Sequence, residues 1–424
     1  MDESEIRNKA KKIILENLVT GYSKSKKTNF TYIKPSKNFY SYQYFWDTCF
    51  HIYILCSLEE TTLAKECLRT QFAMQEEDGF VGHIHYWDNI WPARVTDIFQ
   101  NRLEIGRDLL RSHMSSLIQP PLVAQALQKI YKTTGDKDFL REMLPKLKKY
   151  YSWLAKNRDF DNDSLLSIIT PFESGMDWKP SYDPVVHFKG AKGDWKLFLK
   201  VIIIDFKNFL RNYNYEKIKK NDHFRVKDAG FNTIYVQNLQ ATAMLCEEIQ
   251  DDDAPQYRSL FKKVKNAILT KMYDEQDAAF YDLYGKESEK LKKRTATIFY
   301  PIIIEGMPDD ICKKVIDRHF FNKEEFHTKY PIPSVAINEP SFYPKESLYI
   351  WRGPTWIVNN WFMHQFLLKK GYKEEAKHLV TAIEKLVGKS GFREYYNPFT
   401  GEGYGATNFT WAALVLDMIQ MENQ

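Results

Sequence analysis

Apolar positions recur with a helical period along most of this chain. Between Pro121 and Tyr131 they place Leu122, Ala126, Leu127 and Ile130 on one face. Thr133-Thr-Gly-Asp-Lys137 then supplies a turn, and the 3.6-residue period resumes from Phe139 to Leu154. The spacing therefore predicts a helical hairpin. Similar pairs are expected at Trp46–Ser57 with Thr61–Gln75, at Val236–Glu248 with Pro255–Met272, and at Ile357–Lys370 with Lys373–Val387. A last helix is expected from near Thr410, carrying Ala412, Leu416 and Ile419. Strand alternation is scarce, and no strand–helix alternation suggests a parallel sheet. Repeated hairpins without sustained heptads point to an all-α fold, a closed toroid or a solenoid of helices. The absence of a fixed sequence period argues against a regular solenoid.

The connections divide into two kinds. Those near Tyr42–Asp47, Asp78–Trp91, Pro171–Asp183, Tyr349–Trp356 and Phe392–Asn408 are rich in aromatic, glycine, proline and carboxylate residues. Others, such as Lys156-Asn-Arg and Lys369-Lys-Gly, are plain charged turns. In a toroid this asymmetry gathers the aromatic, acidic loops at one mouth, where binding residues on a rigid scaffold are expected. No linker or composition shift marks a second domain, so residues 1–424 read as one domain. The stretch around 184–230, polar and basic from Lys189 to Lys227, reads as an irregular insertion over that mouth.

Composition narrows the function classes. With 424 residues and 44% apolar content, a large core can be buried. Aromatic residues make up 15%. They suit sugar stacking, although core packing is their commoner use. A net charge of +5, from 60 Lys+Arg against 55 Asp+Glu, describes a mixed surface and not a nucleic-acid stripe. The five cysteines have no CxxC spacing and read as thiols in a reducing compartment. The acidic start, Met1-Asp-Glu-Ser-Glu, has no apolar leader, and Val201-Ile-Ile-Ile-Asp205 is too short to span a bilayer. A cytoplasmic protein without a membrane partner is expected; a homo-oligomer is compatible with the sequence.

Several loops carry candidate chemistry. In Pro171-Phe-Glu-Ser-Gly-Met-Asp177-Trp, Asp177 could sit in a partly desolvated pocket, stay protonated and act as an acid. A helix cap by Ser174 or Asp177, with Glu173 accepting backbone amides, is the competing structural account. In Gly391-Phe-Arg-Glu394-Tyr-Tyr-Asn-Pro-Phe-Thr-Gly-Glu402-Gly-Tyr-Gly, either glutamate could activate a water. Inverting glycosidases need such an acid and base about 6.5–9.5 Å apart. The glycines at 401, 403 and 405 mimic a nucleotide loop, but no strand precedes them. Tyr349-Ile-Trp351-Arg352-Gly-Pro-Thr-Trp356 offers stacking faces and a guanidinium, and Tyr44-Phe-Trp46-Asp47 a carboxylate that caps a helix or binds hydroxyls. Structure and function are evenly matched for both. His83-Ile-His85 lacks a third zinc ligand, Asp251-Asp-Asp253 lacks a calcium-loop pattern, and Ser174 lacks a nucleophile-elbow context.

In order, these motifs resemble glycoside hydrolase family 63, a family of (α/α)6-barrel glycosidases. The ordered set is Phe45-Trp-Asp47, Gln75-x-x-Asp-Gly-Phe80 with His83, Gln119-Pro-Pro-Leu, Glu173-Ser-Gly-Met-Asp177, Ile332-Pro-Ser-Val-Ala, Trp351-Arg-Gly-Pro-Thr-Trp356, Glu394-x-Tyr-Asn-Pro-x-Thr-Gly-Glu402-Gly and Phe409-Thr-Trp411. The likeness runs from about Tyr40 to Asp417. It implies an inverting α-glycosidase with Asp177 as general acid, Glu394 rather than Glu402 as general base, and no metal or cofactor. It further implies a glycone subsite built from Tyr40, Trp46, Asp47, His83, Gln119, Gly175, Trp351, Arg352 and Trp356, and a small carbohydrate as substrate. Relatives act on glucosides or mannosides, including glucosylglycerate and mannosylglycerate. Trp178, Gly82 and Tyr182 depart from the family pattern near the mouth, and Phe409 stands where glycerate-specific members often have glutamine. A sugar epimerase working through a histidine pair on the same toroid, and a silent carbohydrate-binding protein, are the alternatives.

Overall fold

The structure, a computed structural model, describes residues 1–87 and 113–423. Its main helices are α1 (Glu3–Asn17), α2 (Phe45–Ser57), α3 (Thr61–Ala73), α4 (Val123–Thr134), α5 (Lys137–Arg158), α6 (Trp195–Leu210), α7 (Ala229–Glu248), α8 (Ala254–Ala267), α9 (Ile357–Lys369), α10 (Lys373–Ser390) and α11 (Val415–Glu422). The four expected hairpins form as α2/α3, α4/α5, α7/α8 and α9/α10, and α11 follows a tight turn over Thr410–Leu414. Their boundaries have local causes. Gly135 ends α4 in the left-handed region at φ 66°. Asp136 then caps α5 by accepting from the amides of Asp138 and Phe139 at 3.0 and 2.9 Å.

Packing orders the helices into a circuit. α2 packs on α4, α4 on α7, α7 on the turn Ala296–Ile303, that turn on α9, α9 on α11, and α11 on α2. α3, α5, α8 and α10 back α2, α4, α7 and α9 from outside, and α1 backs α11. This explains the uneven legibility of the pattern. α2 and α7 are buried on nearly every face, so their polar residues fall inside as well. α5 and α10 keep a polar side to solvent and show the amphipathic stripe.

Strands are short and antiparallel. β1 (Leu18–Ser23) pairs with β2 (Thr28–Ile33), and β3 (Gln43–Tyr44) pairs with β4 (Ile84–His85). Arg393–Tyr396 pairs with Gly403–Thr407. The 184–230 stretch, expected from its polarity to be irregular, instead contains α6. Leu197, Val201 and Ile204 bury one side of that helix, while Trp195, Phe198, Ile203, Phe206 and Leu210 are exposed. Asp194 caps it through the amides of Lys196 and Leu197. Its exposed apolar residues hid the helical period. Among the described residues no helix is long and apolar enough to cross a membrane.

Candidate active site

The loops leading into α2, α4 and α9, with the segments 172–177 and 394–411, enclose a cavity of about 280 Å³. Tyr40, Trp46, Asp47, His83, Gln119, Gly175, Asp177, Trp351, Trp356 and Glu394 all line it. Four of the five aromatic, acidic loops are thus brought together; of the fifth, Asp78–Trp91, His83 and Ile84 reach the cavity and residues 88–91 lie outside the described residues. Arg352, expected beside them, is not in the lining. The lining also includes Tyr44, Phe172, Ile350, Phe409 and Trp411, which sequence reasoning did not assign to the site. Their signal was available, since each lies within or beside a motif already singled out.

Stacked indoles form one wall. The Trp351 and Trp356 rings lie 3.7 Å apart and nearly parallel at 12°, with Tyr395 stacked behind Trp356 at 5.3 Å. The Trp356 indole donates to the Ile350 carbonyl at 3.2 Å, which fixes its plane. Trp411 lies 5.9 Å from Trp356 and meets Trp46 edge to face at 5.0 Å, and the Trp46 amide donates to Oε1 of Gln119 at 3.1 Å. Gly175 passes behind this indole at φ +71°, and a Cβ there would lie 2.5 Å from the ring. The position needs glycine for both reasons.

Three carboxylates face this space, each held differently. Glu394 sits at a register shift between Arg393 and Tyr395, where the ladder to Gly403–Thr407 is interrupted. Such a bulge turns one side chain out of the strand's alternation. Its Oε1 accepts from the Tyr40 hydroxyl at 2.5 Å and its Oε2 from the Ala406 amide at 2.8 Å. Burial pushes the Glu394 carboxyl above its usual range, while the Ala406 amide, the Tyr40 hydroxyl and the Arg393 charge pull it back. Burial and the neighbouring Glu394 charge hold the Tyr40 phenol well above its ordinary value, so it is a proton donor here. Glu402, by contrast, is exposed and accepts from Tyr404 at 2.9 Å. The glycines that mimicked a nucleotide loop shape this hairpin: Gly405 lies at φ +64°, where a Cβ would collide with Glu394.

Asp47 lies in the first turn of α2 and accepts from the Trp411 indole at 2.9 Å. Burial raises its pKa to about 8, against the Trp411 hydrogen bond; the Glu394 and Asp177 charges add to the rise. That shift favours the protonated form, which can both donate to and accept from a hydroxyl. Asp177 is half-buried, on the loop after the turn Pro171–Ser174. Two buried ion pairs bracket that loop. Glu173 takes both terminal nitrogens of Arg158, at 2.7 and 2.5 Å, and accepts from the Ile118 and Ile169 amides at 3.0 and 2.9 Å. Lys179 contacts Asp228 and, at 2.8 Å, Asp282. Glu173 is therefore the structural acceptor anticipated for it. Arg158, Lys179, Asp228 and Asp282 carried no sequence signal, because nothing local tells a buried charge from a surface one.

His83 points its Nδ1 at the Ser115 hydroxyl. His85 turns to the Gly82 carbonyl and to Gln43, and burial drops its pKa to about 3. Among the described residues no three His, Cys, Asp or Glu side chains cluster as a metal site. Arg352 is buried at 1% exposure. Its guanidinium meets Asp183 at 2.8 and 2.7 Å and the carbonyls of Trp178, Gly190 and Ala191 at 3.3, 2.7 and 2.8 Å.

Several proteins of similar sequence bear the names of glycoside-cleaving hydrolases. The family described as mannosylglycerate hydrolase MGH1-like glycoside hydrolase domain matches residues 40–412. Mannosylglycerate hydrolase of Thermus thermophilus is 27% identical over 408 residues, spanning 89% of this chain and 94% of the relative. Glucosylglycerate hydrolase of Mycolicibacterium hassiacum is 26% identical over 428 residues, spanning 90% and 92%. In fold, a GH63 mannosylglycerate hydrolase from T. thermophilus, solved with Tris and D-glycerate, superposes with a TM-score of 0.84 at 23% identity, covering 98% of this chain and all of that one. With the match spanning nearly the whole chain and containing every carboxylate of the cavity, this protein belongs to the MGH1-like glycoside hydrolase family and is a glycoside hydrolase.

Proposed function

We propose that this enzyme hydrolyses an α-glucoside or α-mannoside with inversion, with Asp177 as general acid and Glu394 as general base. The observation that carries the proposal is their placement. The two carboxyls reach one aromatic-walled cavity from separate loops, and a phenol and an amide fix the two oxygens of Glu394. The sugar stacks on Trp351 and is held through Asp47, Gln119 and His83. Asp177 gives its proton to the glycosidic oxygen as the C1–O bond breaks. Glu394 takes a proton from water as that water bonds to C1 from the opposite face. The circuit of five inner helices and the helical turn Ala296–Ile303, with outer helices backing the five, is an (α/α)6 toroid in this reading, and the five buried free cysteines suit a reducing cytoplasm.

The relatives act on mannosylglycerate and glucosylglycerate. A small glycoside of this kind, or an α-glucosyl oligosaccharide, is accordingly the substrate class. The epimerase alternative requires a histidine pair in the cleft, and His83 is the one histidine among the described lining residues. The test is an NMR assay against α-glucosides, trehalose, glucosylglycerate and mannosylglycerate. From glucosylglycerate or mannosylglycerate, where a single sugar is freed, the anomer released first should be β. Asp177→Asn and Glu394→Gln should each cost ~10²–10⁴-fold in rate in folded protein. Near-normal turnover by either variant overturns the pair, and an α first product overturns inversion.

A further inference from the structure

We infer that Arg352 does not bind sugar but is the positioning residue for the general acid, clamping the loop that carries Asp177 onto the aromatic wall. The inference rests on Asp177 being the acid. A guanidinium has five N–H donors in a fixed fork, and here all five are used within the protein. Nε donates to the Ala191 carbonyl at 2.8 Å, Nη1 to Trp178 O and Asp183 Oδ1, and Nη2 to Asp183 Oδ2 and the Gly190 carbonyl. No donor is left for a substrate hydroxyl.

All these acceptors lie between residues 178 and 191. The Trp178 carbonyl belongs to the residue directly after Asp177, and the Gly190 and Ala191 carbonyls close the far end of the same excursion. From Val186 to Gly193 this stretch has no helix or strand of its own; the Phe188 amide donates to the Asp183 carbonyl at 2.9 Å, and the fork joins Gly190 and Ala191 to Asp183 and Trp178. The other end of the clamp is rigid. The Arg352 carbonyl accepts from the Tyr343 amide at 2.6 Å, and the Gly353 amide donates to the Ser334 hydroxyl at 2.9 Å. The preceding residue, Trp351, stacks on Trp356 in the cavity wall. This side chain thus couples the sugar platform to the acid's loop, beside the ring contact of Trp178 with Tyr349 at 5.1 Å. Lysine could replace the charge but not the fork, because an ammonium cannot span two carboxylate oxygens and three carbonyls at once.

Leaving-group dependence tests this. Departure of an alkoxide needs the Asp177 proton, whereas a glycosyl fluoride expels fluoride with the bonding pair and needs none. Attack by water with proton transfer to Glu394 is common to both. For Arg352→Lys, kcat on the best glycoside from the panel should fall about 10²-fold, as for a misplacement of about 1 Å, with KM changed less than threefold. On the matching α-glycosyl fluoride, kcat should stay within about fivefold of wild type. Asp183→Asn, which keeps the shape and removes the paired charge, should show the same selectivity more weakly, and it carries the test should the lysine variant fail to fold. Equal losses on both substrates, no loss on either, or a loss confined to KM would overturn the clamp. Asp177→Asn is the control. If it loses fluoride hydrolysis as deeply as glycoside hydrolysis, the acid assignment fails. If it spares the fluoride while Arg352→Lys does not, the clamp alone fails.

Discussion

The contact between Tyr40 and Glu394 makes a prediction whose sign and size follow from the geometry. In the proposed mechanism Glu394 must be ionised to accept a proton from water, so activity should fall as pH drops through its pKa. Burial raises that pKa, and the Tyr40 hydroxyl at 2.5 Å and the Ala406 amide at 2.8 Å oppose the rise by stabilising the carboxylate. Tyr40→Phe deletes one of these two donors and keeps the ring that packs on Phe409 at 5.8 Å. A hydrogen bond to a charged group contributes ~1.5–3 kcal/mol, and one pKa unit corresponds to ~1.4 kcal/mol. The acid limb of kcat/KM should therefore move to higher pH by about one to two units. The variant's deficit should be ~10–100-fold deeper on that limb than on the alkaline plateau. Glu402→Gln, which alters an exposed carboxylate, should leave the limb in place. A Tyr40→Phe limb that stays put or moves to lower pH would show that Glu394 is not the base sensed in the profile.

Two further perturbations probe the charges around the cavity. Arg158→Met strips Glu173 of its counter-ion at 0% exposure while leaving the carboxylate buried, so urea denaturation should show a loss of ~3–5 kcal/mol; a loss below ~1 kcal/mol would mean that Glu173 is satisfied by its backbone donors alone. Asp47, with its pKa raised to about 8, binds its proton more tightly folded than unfolded. The sign follows: between the ordinary carboxylate range and about pH 8 the native state holds the extra proton, so stability declines as pH rises through that window. Asp47→Asn removes this dependence and should lose fewer degrees of Tm between about pH 6 and 9 than wild type. Parallel Tm–pH curves would contradict the raised value.

The fold was legible where one side of a helix meets water. The stripe in α5 and α10 is clear because their outer faces are solvated. In α2 and α7 it is blurred because nearly every face is buried, and buried polar residues such as Asn232 and Asn238 answer specific partners: Asn232 donates to the Leu166 carbonyl at 2.9 Å and Asn238 to Gln125 at 2.8 Å. α6 shows the reverse failure, since Trp195, Phe206 and Leu210 are apolar yet exposed. The site was legible as a set of loops because aromatic, glycine and carboxylate residues cluster within a few positions of one another. Their division of labour was not legible in the residues alone, where Glu394 and Glu402 serve equally, and entered only with the family resemblance, because the contacts behind it lie hundreds of residues apart in sequence.

Arg352 and the paired glutamates make the reason concrete. A guanidinium beside two tryptophans is equally suited to a sugar hydroxyl and to a buried carboxylate. What decides is Asp183, 169 positions away in the chain, whose two oxygens match the fork. Once that pair forms, desolvation makes it costly to redirect the charge toward a ligand. Glu394 and Glu402 share one loop and one composition. The bulge at Glu394 turns it inward onto Tyr40, a residue 354 positions distant, whereas Glu402 remains in water with Tyr404. Burial alone would favour the neutral form of an inward glutamate and work against the proposed role as base. Two donors on two oxygens oppose that tendency, and neither can be read from the glutamate's own neighbours in sequence. Chemistry in this cavity is thus assigned less by which carboxylates are present than by the hydrogen-bond donors brought to each, an indole for Asp47 and an amide with a phenol for Glu394.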